Sequence, residues 1–443
     1  MWGASSSSYQ TEGAWREDGK GESIWDRFCH NPGNVDNGDT GDIACDSYHW
    51  VDEDAEIMGE LGLMTQRLSI SWPRVFPDGR GGVNWKGLDY YRREVDALRK
   101  NGVDPFIMLY HWDLPQKLQD RGGWTNRDTS EYFADFARII FDTFPTEIPH
   151  WGTILEPQII AYHGYWDGTH APGIRDFSSS LEAAHNLMRA HGLAVRQFRD
   201  SGAAGEIGIT NYLPFQYPAS SSAEDIAACS RYDGAWVRWF LDPIFNKGYP
   251  ADMLSWYEHM GVTLPKFTAG DMDLIAEPMD FLGLNYYYSN IVGDGCGRWP
   301  LMVRKENFIG REHTAMGWPS CPEGLKDSIL RVYRDYGLKI IVTENGAAFA
   351  DEMDGNGEVH DPRRIEYLRR HIAALHEAMD EGADVRGYMV WAPLDNFEWA
   401  RGYDKRFGLC YVDYETQKRT IKDSGRWYGE VIKNNGLTGM ERG

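Results

Sequence analysis

Lys339-Ile340-Ile341-Val342-Thr343-Glu344-Asn345-Gly346 is the stretch whose reading decides the fold. Three β-branched apolar residues in a row have the composition of a strand covered on both faces. Asn345-Gly346 is turn chemistry, so the strand ends there. Glu344 thus stands where a buried strand opens into a loop. A carboxylate in that place costs free energy unless it is paired, hydrogen-bonded or used. A structural glutamate tied into a turn is the plain alternative. A second glutamate in a like setting, Glu156 directly after an apolar run over 150–155, argues against coincidence.

Outward from this stretch, runs of the same kind recur with helical patterns between them. Strand patterns occupy 1–5, 65–72, 105–110, 150–155, 206–210, 281–285, 339–344 and 385–391. Helical periodicity fills 46–61, 88–101, 129–144, 181–201, 325–336, 363–381 and 422–434. No low-complexity linker or break in composition divides the chain. Eight strands, mostly followed by helices, predict a single (β/α)8 TIM barrel over residues 1–443. A doubly wound open sheet is the second reading. The glycine fingerprint that marks nucleotide sites on such sheets is missing, because the DGRGG run at 78–82 has no strand before it and no helix after it.

Composition narrows the function. The chain has 443 residues, of which 42% are apolar, enough for a large core. Its 67 acidic and 45 basic residues give a net charge of −22, which argues against nucleic acid or an anionic membrane as partner. The six cysteines form no CxxC and no Cys/His metal spacing, so they read as reduced thiols. No apolar run reaches the ~18 residues of a membrane span. The first residues lack the basic and apolar segments of a signal peptide, and a cytoplasmic location is expected. Eighteen tryptophans suit either a Trp-rich core or a cleft that stacks on flat ligands. Association of like chains stays open.

A barrel of this kind carries its active site at the C-terminal ends of its strands. That places Arg67, His111, Glu156, Tyr286 or Tyr287, Glu344 and Trp391 at one mouth. Paired carboxylates flanking a bond are what glycoside hydrolysis uses, one protonating the leaving oxygen and the other attacking the sugar carbon or activating water. An arginine approaching Glu344 would keep it ionised, and Glu156, with no named cation, would be the acid. Glu398, in DNFEWARGY, lies beyond the last strand beside Trp399, where a carboxylate can bind a hydroxyl while the indole stacks on a sugar face. Neither strand-end glutamate comes with the Asp/His cluster of a metal site, so no metal and no organic cofactor is expected. Buried ion pairing is the structural alternative for both.

Longer strings carry a resemblance. SSYQTEGAWREDGKGESIWDRF, SISWPRV, YHWDLPQ, GGWTNRDT, HAPG, RWFLDPIF, FLGLNYY, TENGAAF and LDNFEWARGY resemble the family 1 glycoside hydrolases of the β-glucosidase type, nearly end to end. The resemblance implies a (β/α)8 barrel and a retaining double displacement, in which the two carboxylates stand roughly 5 Å apart. It implies that Glu344 is the nucleophile and Glu156 the acid/base. Gln10, His111, Glu398 and Trp399 match positions that bind the glycone hydroxyls, and Trp391 matches the platform under the sugar. Tyr287 matches the tyrosine that hydrogen-bonds the nucleophile, Arg67 the arginine beneath it, and Asn285 a supporting residue.

The chain departs from the family pattern at several positions. Leu155 stands where the acid/base motif usually has asparagine, a residue that holds the sugar 2-hydroxyl. Gln158 replaces a frequent tryptophan. Gln66 and Leu68 flank Arg67 in place of tyrosine and phenylalanine. Ser47 and Trp50 replace histidine and arginine, and Pro393 follows Ala392. These changes predict a remodelled substrate pocket. Three readings follow: a retaining β-glycosidase acting on small β-glycosides, weakened by the loss at 155; a barrel of glycosidase origin running other acid/base chemistry; and a pocket that binds a ligand without turning it over.

Overall fold

The computed structural model describes residues 1–438. The last five residues of the expected domain lie outside them. Eight parallel strands close into a barrel: β1 (Trp2–Ser5), β2 (Thr65–Ser69), β3 (Asp104–Tyr110), β4 (His150–Leu155), β5 (Glu206–Tyr212), β6 (Phe281–Asn285), β7 (Ile340–Asn345) and β8 (Val385–Trp391). Each strand pairs with its neighbours in sequence, and β1 closes the ring by pairing with both β8 and β2. That closure rules out the open sheet. The four residues of β1 are enough, because all four are buried and all take part in the ladder.

Eight helices lie outside the ring: α1 (Val51–Glu60), α2 (Trp85–Lys100), α3 (Asp128–Thr143), α4 (Phe177–Ser201), α5 (Trp239–Asn246), α6 (Pro322–Tyr336), α7 (Pro362–Asp380) and α8 (Asp423–Lys433). Each presents a buried stripe at helical spacing, as Leu325, Ile329 and Val332 do on α6. Three of them begin about three or four residues before the periodicity does. Proline at the first helical turn starts α6, and the Asp176 side chain caps α4. Strand β2 ends at Ser69, and Trp72–Val75 turns at once into a short helix.

The register sets up the site. Ser5 lies opposite Trp391 on one side and Arg67 on the other, and Glu344 lies opposite Asn285. At the N-terminal end of the barrel, Phe106, Phe281, Ile341 and Met389 form an apolar plug with Met1 packed beneath. Phe106 and Phe281 meet edge to face at 5.7 Å. Trp25, Trp72, Trp124, Trp151 and Trp239 are fully buried in the core. The connection between β5 and β6 is a long excursion holding α5, three further α-helices and a strand that joins a three-stranded sheet with Asn290–Asp294 and Val303–Glu306. Among the described residues no helix is long and apolar enough to cross a membrane.

Candidate active site

A cavity of about 620 Å³ opens at the C-terminal ends of the strands. Glu156, Glu344, Glu398, His111, Trp391 and Trp399 all line it. Tyr287 lines it as well. Three of the lining residues, Trp112, Glu156 and Trp399, hold positive φ of 78°, 47° and 50°. Each such residue costs about 1–2 kcal/mol of backbone strain, and the surrounding structure must hold it in place. Glu156 is the hinge between β4 and the helix Pro157–Tyr165, and the left-handed turn there swings its side chain off the strand line.

Glu344 is the last residue but one of β7, which runs one residue past the expected end, through Asn345. Its Oε1 meets the Arg67 guanidinium at 2.5 Å, with both side chains almost fully buried. The Tyr287 hydroxyl donates to Oε2, also at 2.5 Å. The carboxylate is thus fixed in orientation and paired with a positive charge, as an attacking carboxylate requires. The triple tyrosine separates into three tasks. Tyr286 turns away to the Cys321 carbonyl, Tyr287 reaches Glu344, and Tyr288 stacks on Trp318 at 5.2 Å.

Glu156 has a different environment. Among the described residues its carboxyl takes one hydrogen bond, from the Asn285 amide, 2.8 Å from Oε1. Asn285 is held in turn by the Thr343 hydroxyl, which donates to its Oδ1 at 2.7 Å. Burial, and after it the Glu344 charge, pushes the Glu156 carboxyl up to about 8. Glu344 is thus paired with arginine, while Glu156 in the same cavity keeps its proton at neutral pH. That split is the condition for acid catalysis beside nucleophilic attack.

The remaining residues form a polar and aromatic shelf. His111 is buried, and burial together with Arg67 holds its imidazole well below its usual range, so it is neutral. A neutral imidazole can both donate to and accept from sugar hydroxyls. Glu398 is pushed up to about 8 by burial and then by the Glu344 charge. Trp391 lies 6.0 Å from His111, and Trp399 5.7 Å from it. Gln10 stands one step behind the wall. It is fully buried, and its amide donates to the Asn396 side chain at 3.1 Å, the Phe397 carbonyl at 2.8 Å and Glu398 at 3.5 Å. No cluster of metal-ligating side chains occurs in this cavity among the described residues.

The expected remodelling of the pocket is not what the departures produce. None of Ser47, Trp50, Gln66, Leu68, Leu155, Gln158 and Pro393 lines the active-site cavity. Ser47, Gln66 and Pro393 instead line a second, water-sized cavity of about 30 Å³, with Ala55 and Met58 of α1 and Leu98 of α2. The reason is the two-residue period of a strand: Arg67 faces the barrel interior, so Gln66 faces the helices. Leu155 is fully buried away from the cavity, and the Gln158 amide is spent on the Asn211 side chain at 2.9 Å.

Sequence reasoning missed the outer wall. Trp112, Tyr212, Trp236, Tyr288, Lys305 and Trp318 also line the cavity. Trp112 had a signal, since it follows His111 at the end of β3. The others sit after strand ends or in the excursion, where no periodicity points inward.

The description "Glycosyl hydrolase family 1" matches residues 1–437. Beta-glucosidase A of Acetivibrio thermocellus is 48% identical over 99% of this chain and 98% of its own length. Beta-glucosidase A of Thermotoga maritima is 46% identical over 99% and 97%. A solved family 1 β-glucosidase from Thermotoga maritima superposes with a TM-score of 0.95 at 46% identity, covering 99% of this chain and 98% of that one. The same enzyme has been solved in complex with isofagomine lactam and with deoxynojirimycin. A barrel whose mouth holds an arginine-paired glutamate opposite a protonated one, matched end to end by these relatives, belongs to glycosyl hydrolase family 1.

Proposed function

We propose that this chain is a retaining β-glucosidase, acting as one catalytic domain on small β-glucosides without metal or cofactor. The carrying observation is the asymmetry between the two carboxyls: Glu344 is held by Arg67 and Tyr287, while burial keeps the proton on Glu156. In this reading Glu344 attacks the anomeric carbon and a glycosyl-enzyme bond forms. Glu156 gives its proton to the departing oxygen, then takes one from the water that releases the sugar. His111, Glu398 and Trp399 hold the glycone hydroxyls over the Trp391 face, with Gln10 bracing Glu398. Asn285 keeps the Glu156 carboxyl aimed at the leaving oxygen. Retention is the mechanism of the family, and the relatives named β-glucosidase support the substrate class. Six cysteines without a disulfide support a cytoplasmic location.

The test is chemical trapping. A 2-fluoro aryl β-glucoside slows release of the covalent intermediate, and digestion followed by mass spectrometry then finds the labelled peptide. Label on the Glu344 peptide is expected. Turnover with label on another residue, or inversion at the anomeric carbon, overturns the reading.

A further inference from the structure

The proposed acid/base residue fixes where the leaving group departs, and an aromatic track with two branches begins there. Tyr212 lies close enough to Glu156 to feel its charge. From its ring the wall branches, to Tyr288 at 6.2 Å, which stacks on Trp318, and edge-on to Trp236 at 6.4 Å with 84° between the rings. Trp236 in turn stacks on Tyr232 at 5.8 Å, with 24° between the rings. The Lys305 ammonium stands over the end of this track, 4.9 Å from the Tyr232 ring and 5.9 Å from the Trp236 ring. All six residues line the cavity. Lys305 belongs to the edge strand Val303–Glu306, outside the barrel, and is exposed.

Two facts mark this lysine. Acids outnumber bases 67 to 45 in the chain, yet no carboxylate pairs with Lys305 among the described residues. Its strand neighbours Arg304 and Glu306 pair with each other at 2.9 Å, which leaves the Lys305 charge to the cavity. A cation over aromatic faces is held in place by the rings while still presenting its N–H groups outward. A flat ligand lying on the track would therefore end against an uncompensated positive charge.

Resting on the β-glucosidase reading, we infer that Lys305 selects aglycones that are flat, aromatic and anionic: aryl β-glucosides whose ring carries a carboxylate on the side away from the glycosidic oxygen. The ring lies against Tyr212 and Trp236, and the carboxylate meets Lys305. Glu156 protonates the phenolic oxygen at the other end. Lys305 touches only the leaving group, so it sets specificity and takes no part in bond making.

The experiment compares 4-carboxyphenyl β-glucoside with neutral 4-nitrophenyl β-glucoside in the wild type, Lys305→Gln and Lys305→Arg. The measured quantity is the ratio of kcat/KM for the acid to kcat/KM for the neutral substrate. In Lys305→Gln this ratio is expected to fall about fivefold, the size of one exposed ion pair. Lys305→Arg is expected to restore it. Added salt is expected to lower the wild-type ratio, because screening acts on the charged substrate alone. An unchanged ratio in Lys305→Gln, or the same fall in Lys305→Arg, overturns the assignment while hydrolysis of the neutral substrate leaves the β-glucosidase reading standing. No hydrolysis of either substrate by the wild type sinks both.

Discussion

The two ends of one barrel could hardly differ more. At the N-terminal end, Phe106, Phe281, Ile341 and Met389 fill the lumen with buried apolar side chains. At the C-terminal end, Glu156 and Glu344 enter a cavity, with Arg67 buried behind Glu344 and three lining residues in strained backbone. The strands β6 and β7 show the division best. Phe281 and Ile341 belong to the plug, and four residues on, Asn285 and Asn345 are at the site end. Four residues of strand span roughly 13 Å, so stability and chemistry are separated by little more than one side-chain layer.

That separation can be broken on purpose. Glu344→Gln removes the proposed nucleophile and keeps the shape. Its turnover of an aryl β-glucoside is expected to fall on the order of 10⁴-fold or more, with thermal stability lowered, since the buried Arg67 loses its charge partner. Equal turnover would end the assignment. The converse change is Phe281→Ala in the plug. Deleting a buried aromatic ring costs about 3–5 kcal/mol of unfolding free energy, readable by denaturant titration, while kcat per folded molecule stays as it was. A tenfold change in kcat would mean that the ends are coupled.

The smallest effect is a matter of pH. Glu156 acts only while it holds its proton, and its carboxyl is raised to about 8, so that form persists through neutrality and is lost above it. The kcat/KM profile is therefore expected to fall on the alkaline side along a limb near pH 8, reported for the pair of carboxyls together. Phe281→Ala is expected to leave that limb in place. A limb that moves with the plug residue would show that the lower end tunes the upper one.

The barrel was legible in the sequence because β-branched runs and helical periods are short-range signals. The two glutamates were legible because each ends an apolar run, and their functional reading drew further on the long strings shared with the family. Side-chain facing was less accessible. Gln66 sits next to Arg67 in sequence and was grouped with the pocket, yet the strand pleat sends it to the helix side, into the water-sized cavity beside Ser47 and Pro393. Leu155 shares its motif with Glu156 but not its cavity. The aromatic track was not legible at all. Tyr232, Trp236 and Lys305 come from segments without a repeating period, and only three-dimensional folding brings them to the same wall.

The excursion between β5 and β6 makes one cheek of the entrance and contributes nothing to ring closure. Tyr232 and Trp236 take no part in the barrel ladder. Such a chain can explore new leaving groups by rewriting its rim while the bond-breaking apparatus stays constant. Diversification of substrate scope is then a problem of upholstery, with the frame already settled.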